Sequence, residues 1–457
     1  MVAAQLEHGI GFVPTRATHR RAARELRRAR KAAITPFLVL GVAFPTYFVR
    51  IPSLKLQLGL SNEAMGLLLT VPALAAVLAM QVAGPLVARF GSSAVLRVVM
   101  TALPLAMLGL PLSGGVAAAA AVLAVVGALD GLVGVGMNTH AVTVERRLGR
   151  PIMSGCHAAY SLAAVATATL GGLALSAATA PATHFTIAAA IAVPLALAGG
   201  RAMLPAAADR VPAGVGHPTD RDGGAAADGG NGGNGGDGGG GSGPDGRGPR
   251  GLAGWTPRVV LLGAMATVVL VGESAVGSWS GIYLRDSLEA TLAAASAGYI
   301  GFSACHAGGR LVGDRLESRL GPAAMVQGGA LVACTGLATV VVSPVLPLTV
   351  AGFALLGLGL SVLLPVVLRI AGHEGADERR GGAARTLSIV GTMSYAGMLL
   401  GPVVVGWLSQ WLGLRETFAG LLLTLAVVLV VGRRAAAPAR VVGPVGPAVG
   451  TAVGPVR

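Results

Sequence analysis

The stretch VLVGESAVGSWSGIYLRD, residues Val269–Asp286, belongs to an apolar run from about 257 to 284, yet it contains a glutamate. Runs of about twenty apolar residues recur along the whole chain, and each is long enough to cross the hydrocarbon core of a bilayer as a helix. Only 12% of the 457 residues are charged, about half the share that a soluble protein carries. The sequence therefore predicts an all-α, multi-pass membrane protein.

Twelve spans are predicted between the charged and Gly/Pro-containing breaks, six in each half of the chain. They fall near 33–54, 63–88, 94–113, 116–141, 152–178, 184–204, 257–284, 291–313, 321–343, 347–370, 384–410 and 416–432. They divide the chain into a basic tail (1–32), a six-helix bundle (33–204), a Gly-rich linker (205–254), a second six-helix bundle (255–432) and a second tail (433–457). The linker has no means of building a core, so we predict that it is a tether.

The positive charge follows the predicted loops. With the N-terminus in the cytoplasm, the 34 Lys and Arg residues all lie toward the cytoplasmic side except Arg50, Lys55, Arg285 and Arg415. The positive-inside rule predicts this bias, so the formal charge of +14 is explained by topology and requires no nucleic-acid partner. The Ala-, Gly- and Arg-rich usage hints at a GC-rich bacterial genome. We therefore predict a plasma (inner) membrane protein of a bacterium, with both termini and the linker cytoplasmic.

Residue patterns of covalent catalysis do not occur in the sequence. There is no nucleophile elbow, no Walker loop and no His/Glu metal cluster. Cys156, Cys305 and Cys334 lie inside apolar runs, and their spacing fits neither a metal site nor a disulfide framework. We expect no enzyme activity, no catalytic residue, no metal and no cofactor. Since an ATPase signature is missing, a gradient would have to supply the energy for any transport.

The two halves carry matching loop segments. GPLVARFGSSAVLR (Gly84–Arg97) follows the second span, and RLVGDRLESRLG (Arg310–Gly321) follows the eighth. The pair resembles the Gly-x-x-x-Asp-Arg-x-Gly loop motif of the major facilitator superfamily, which is repeated once in each six-helix half. Together with the central linker, this resemblance covers nearly the whole chain.

The resemblance implies a set of conformational latch residues in these loops. When the two copies are aligned, Ala88 stands opposite Asp314, and Arg310 stands where the family has glycine. An aspartate in the motif can accept hydrogen bonds from a neighbouring helix N-terminus, so Ala88 puts the first-half latch in doubt. The alternative is that the arginines are ordinary positive charges of an inside loop. The latch candidates are Gly84, Arg89, Gly91, Asp314 and Arg315.

Two further segments narrow the resemblance. GMNTHAVTVERRLGRPIMSGCHAAYSL (Gly136–Leu162) and GESAVGSWSGIYLRD (Gly272–Asp286) are similar to a little-characterised bacterial branch of inner-membrane facilitators. That branch includes a membrane protein from a rhizopine-synthesis locus and is distantly similar to fucose/proton symporters. The resemblance implies two pseudo-symmetric bundles that rock around a midplane site, but it fixes no substrate.

Charged side chains within the spans mark the candidate site, because such residues are costly in a bilayer and usually face a cavity or a partner. Glu273 lies near the middle of the seventh span and Asp130 just past the middle of the fourth. In the superfamily, helices 1, 4, 7 and 10 line the central cavity, so the resemblance places both acids beside it. We expect Arg50 to pair with either acid or to hold an anionic group of a solute. The candidates for substrate binding and proton coupling are Glu273, Asp130, Arg50, Tyr47, Asn138, Ser274 and Ser280.

Several alternatives remain open at this point. Either acid could be a structural polar clamp between helices. His157 and His306 are interpreted as hydrogen-bonded packing residues, and Trp279, Tyr283 and Arg285 as an interfacial belt.

The expected function is secondary active transport of a small polar organic solute, sugar-like or related. We expect a proton to be the coupling ion and a monomer in the lipid bilayer to be the working unit. The competing functions are efflux of a drug or metabolite by the same fold, and a non-transporting membrane sensor or scaffold.

Overall fold

A computed structural model gives the fold of the chain. It describes residues 16–149, 152–205, 255–374 and 382–436. The predicted linker falls outside these ranges apart from its first residue, and so does all but the start of the predicted C-terminal tail.

Within the described ranges the chain forms twelve α-helices and no strand. Those of the first half are α1 (Arg16–Leu58), α2 (Asn62–Phe90), α3 (Ser92–Met107), α4 (Val116–Leu148), α5 (Met153–Ser176) and α6 (Pro181–Ala202). Those of the second half are α7 (Pro257–Leu288), α8 (Leu292–Leu320), α9 (Pro322–Val342), α10 (Leu346–Glu374), α11 (Gly382–Leu412) and α12 (Leu414–Ala436). The predicted all-α fold of about twelve helices is confirmed.

Ten of these helices are long and apolar enough to cross a membrane. The remaining two differ for separate reasons. Helix α3 is apolar but has only 16 residues, about 24 Å at 1.5 Å per residue. Helix α8 has 29 residues, and charged residues occupy its last three turns from Arg310 to Arg319. The charged residues of α8 are therefore candidate functional residues of the second half.

Two glycines show how the residues of the two repeated loops align. Gly91 and Gly321 have φ values of +86° and +79°, a conformation that favours glycine. Each is the single residue between two helices, and the helices before them, α2 and α8, both have 29 residues. Gly91 is thus equivalent to Gly321, and Arg89 to Arg319. The alignment of Ala88 with Asp314 was wrong by one helical turn, because the chain reverses at the glycine and not at the Asp-Arg pair.

The helices run alternately up and down, so their connections lie at two ends. The basic end holds the start of α1 and the connections after α2, α4, α8 and α10. The opposite end holds the connections after α1, α3, α5, α7, α9 and α11. The halves contact each other mainly through α2 with α11 and α5 with α8, and also through α1 with α7 and α8. At the opposite end, Gly66 lies against Pro402 and Gly406, and Lys55 forms an ion pair with Asp286.

Aromatic residues of α7 build the core of the second half. Tyr283 contacts the rings of Phe353 and Phe418, and its hydroxyl donates a hydrogen bond to the Val340 carbonyl at 2.9 Å. Tyr283 is 1% exposed, and Trp279 is fully buried. The predicted interfacial belt is wrong for these two residues, because α7 lies inside the bundle and its aromatic side chains face other helices.

Candidate transport site

Glu273 lies at the midpoint of α7 and has two basic neighbours on α8. Its carboxylate is 3.2 Å from Nε2 of His306 and 3.8 Å from a guanidinium nitrogen of Arg310. The Glu273 side chain is 20% exposed, so it is largely removed from water without being sealed off. Phe302, one turn before His306, stacks on the imidazole with ring centroids 5.4 Å apart and fixes its orientation.

The sequence explains why both partners of Glu273 lie on the same face of α8. His306 and Arg310 are four residues apart and so share one helix face, and a connection of three residues (289–291) keeps α7 beside α8. His306 was interpreted as a hydrogen-bonded packing residue, and the structure shows that its hydrogen-bond partner is Glu273. Arg310 was noted only as a departure from the loop motif. That departure from the motif, together with the four-residue spacing from His306, was the sequence signal that could have identified Arg310 as part of the site.

A cavity of about 490 Å³ lies between the halves toward the basic end. It is lined by α5, α8 and α10, with one residue of α9. Polar side chains in its wall are His157, Ser161, Arg310, Glu317 and Ser361. Glu273 is not part of the wall, and Arg310 connects it to the cavity. Glu317 is already paired with Arg369 on α10 at 3.0 Å.

Glu273, His306 and Arg310 form a charged cluster. Two residues of the first half are linked to it electrostatically. Tyr160 on α5 lies within electrostatic range of Asp130, Glu273 and Arg310. Asp130, on α4, is partly exposed. Asp130 and Glu273 were both predicted to lie beside the central cavity; neither belongs to the wall of the cavity described above, and Tyr160 lies within electrostatic range of both. Tyr160 was missed because sequence spacing gives no information on which helix faces which.

Arg50 and Tyr47 occupy a different place. Arg50 is 5% exposed, and it donates hydrogen bonds to Nδ1 of His184 at 3.0 Å and to the Thr179 carbonyl at 2.8 Å. Tyr47 lies beside it at a cavity of about 20 Å³ between helices of the first half. The structure does not bring Arg50 to Asp130 or Glu273. Its partners come from α6 and the α5–α6 connection, which the sequence could not pair with α1.

The three remaining polar candidates are engaged within their own helices or buried between helices. Asn138 is exposed and donates to the Gly134 carbonyl at 2.8 Å. The Ser274 hydroxyl donates to the Val271 carbonyl at 3.1 Å. Ser280 is fully buried where α7 packs on Gly298 of α8. None of the three is hydrogen-bonded to Glu273 in the part of the chain that the structure describes.

The latch candidates lie at the basic end. Gly84, Arg89 and Arg315 are exposed, and Gly91 ends α2. Asp314 belongs to α8, but its side chain lies outside the described residues. The described side chains of this set make no contact with the other half, so the latch role stays a prediction.

Two six-helix halves with a cavity between them fit the architecture of a membrane transporter. The model of the Major Facilitator Superfamily matches residues 262–448 of the chain. An uncharacterized MFS-type transporter of Yersinia pestis is 28% identical over 85% of this chain and 92% of its own length. The uncharacterized transporter y4wD of Sinorhizobium fredii is 28% identical over 86% and 95%. The chain is therefore similar to transporters of the major facilitator superfamily, by the family model in its second half and by the Yersinia relative over most of its length.

Further similarities agree with the predicted branch and with the fold. The membrane protein MosC of Rhizobium meliloti is 29% identical over 38% of this chain and 41% of its own length. The nucleoside transporter NupG superposes with a TM-score of 0.64 at 12% identity, covering 90% of this chain and 98% of that one. A D-xylose-proton symporter superposes with a TM-score of 0.64 at 13% identity, covering 89% and 96%. At these identities the two structures support the fold alone.

Proposed function

We propose that this chain is a transporter of the major facilitator superfamily that moves a small polar organic solute and couples the movement to a proton at Glu273. The observation that carries the proposal is the contact of Glu273 with His306, at the midpoint of α7 and between two helices of the second half. An ionisable residue at that depth requires a partner or a function. Glu273 and His306 can exchange a proton across a single hydrogen bond, whereas a structural clamp would not need two titratable groups.

The closed opposite end and the cavity toward the basic end support alternating access. Contacts between α2 and α11 seal one end, while α5 and α8 leave room for a solute near the other. If the basic end is cytoplasmic, as the charge distribution predicts, the structure is the inward-facing state. Rocking of the halves would then expose Glu273 to each side in turn.

The proposed setting is a bacterial inner membrane, with both termini cytoplasmic and a monomer as the working unit. Asp130 and Tyr160 would contact the solute from the first half, because Tyr160 lies within electrostatic range of Asp130, Glu273 and Arg310. Reporter fusions after Arg30, at Gly235 and after Arg434 should all give cytoplasmic signals. A single signal from the other side would contradict the proposed orientation.

Uptake into proteoliposomes tests the function. A library of labelled polar solutes identifies one that wild-type protein accumulates under an inward proton gradient and not after the gradient is collapsed. Glu273→Gln keeps the shape and hydrogen-bonding capacity of the side chain but cannot titrate. It should still exchange this solute between the two compartments and fail to accumulate it.

Glu289→Gln is the matched control, because Glu289 lies in the α7–α8 connection, away from the cluster. This variant should accumulate the solute like wild type. Wild-type accumulation by a well-folded Glu273→Gln protein would leave only the structural clamp and contradict the proposal.

A further inference from the structure

We infer that the solute carries an anionic group, a carboxylate or a phosphate, and that Arg310 binds this group in the cavity between α5 and α8. The inference rests on the proposed transport function and deepens it, because it names a substrate class and a residue for its recognition. The hydrogen bonding of Arg310 differs from that of Arg50 and Arg97.

Arg310 has unused hydrogen-bonding capacity. A guanidinium carries five N–H donors, and among the side chains that the structure describes the contact of Arg310 is the 3.8 Å approach to Glu273. That distance is too long for a hydrogen bond. The side chain is 37% exposed and forms part of the cavity wall. Its donors are therefore directed to a region where a ligand can reach them.

Arg50 on α1 and Arg97 on α3 already have acceptors. Arg50 donates to His184 and Thr179, and Arg97 donates to the Gly200 carbonyl at 2.7 Å. Glu317, which lines the same cavity and whose side chain is 9% exposed, is 3.0 Å from Arg369. Arginine is suited to planar, two-point binding of carboxylates and phosphates. Arg310 is the cavity-lining arginine in the described part of the chain that is left available for this.

The opposite wall of the cavity is suited to the same ligand. His157 on α5 lines it, and its ring packs edge-on against Phe37 with centroids 5.1 Å apart. The hydroxyls of Ser161 and Ser361 also lie in the wall. An anion between His157 and Arg310 would touch one group from each half. The volume of about 490 Å³ is within the range of small-molecule sites.

This placement makes the solute anion and Glu273 competitors for one guanidinium. Arg310 stands between them, and a bound carboxylate or phosphate with two short hydrogen bonds would displace the longer contact to Glu273. The residue that recognises the solute would therefore also contact the residue proposed to carry the proton.

Thermal stabilisation of the purified full-length protein in detergent tests the inference without transport. The probes are matched pairs at equal ionic strength, with glucuronate and glucose 6-phosphate against glucose and acetate against acetamide. At least one anion should stabilise the wild type more than its neutral partner. Arg310→Gln should weaken the binding of that anion at least about tenfold, and Arg310→Lys should weaken it less.

Arg146→Gln is the control, since Arg146 is exposed at the basic end of α4 and outside the cavity wall. It should bind the anion like wild type. The inference is wrong if no anion exceeds its neutral partner in the wild type, or if folded Arg310→Gln or Arg310→Lys protein shows the Arg146→Gln affinity. Either result leaves proton-coupled transport of an uncharged solute intact, because accumulation is measured separately.

Discussion

The seal at the opposite end depends on a glycine that brings two helices of different halves into backbone contact. A Cβ atom added at Gly66 of α2 would lie 2.8 Å from the Pro402 carbonyl oxygen and 3.0 Å from Cα of Gly406, both in α11. The nearest atoms belong entirely to the other half. Gly66→Ala should therefore oppose closure of this end without disturbing the packing inside the first half.

The expected size of the effect follows from these distances. Ordinary van der Waals contact at a Cβ atom begins at 3.4 Å, so α2 and α11 must separate by about half an ångström. Overpacking of this kind costs about 1–3 kcal/mol. Because the cost applies only to the state in which this end is closed, the ratio of open to closed molecules should rise about 5- to 150-fold.

The assay is the rate at which a membrane-impermeant maleimide labels Ser296→Cys in a background without the native cysteines. Ser296 is 3% exposed and packs against Gly172 across the α5–α8 contact, so it becomes accessible only when the seal opens. Gly420→Ala is the control, because an added Cβ there has no neighbour within 4 Å. Equal labelling rates in properly inserted Gly66→Ala and Gly420→Ala proteins would refute the reasoning.

Three further predictions concern the remainder of the chain. Asp286→Asn removes the partner of Lys55 in an ion pair whose side chains are 35% and 14% exposed. Such pairs contribute about 0.2–1 kcal/mol, so the labelling rate of Ser296→Cys should rise less than about fivefold. A larger rise would contradict this estimate of the ion-pair energy. Arg50→Ala removes both hydrogen bonds to His184 and Thr179 and should destabilise the protein to thermal unfolding by about 2–4 kcal/mol, whereas loss of solute binding at unchanged stability would restore the predicted solute role. Deletion of 223–243 should leave transport near the wild-type rate, because a Gly-rich coil of about fifty residues is too slack to set geometry; loss of transport in inserted protein would show that the linker does more than tether.

The fold could be predicted because hydropathy and loop charge report directly on the membrane. The predicted span at 116–141 became Val116–Leu148 and that at 257–284 became Pro257–Leu288, each with the same start. The prediction failed where helix ends depend on backbone conformation. Gly91 and Gly321 reverse the chain at positive φ, and matching on the Asp314–Arg315 pair gave the wrong register for the loop repeat.

The site could be predicted only in part, because spacing gives the face of a helix and not its neighbour. Glu273 and Asp130 were found from the cost of charge in an apolar run. His306 and Arg310 needed the packing of α8 on α7, and Arg50 needed the packing of α6 on α1. These contacts join residues far apart in the chain, and a single sequence contains no signal that pairs them.

The most direct test of the account is proton movement driven by the solute. Proteoliposomes containing a trapped pH-sensitive dye would receive the solute identified in the uptake library, with no pH gradient at the start. Wild-type protein should acidify the lumen as solute enters. Glu273→Gln should exchange the solute and leave the lumen pH unchanged, because its amide cannot carry a proton. Lumen acidification at the wild-type rate by folded Glu273→Gln protein would contradict the account.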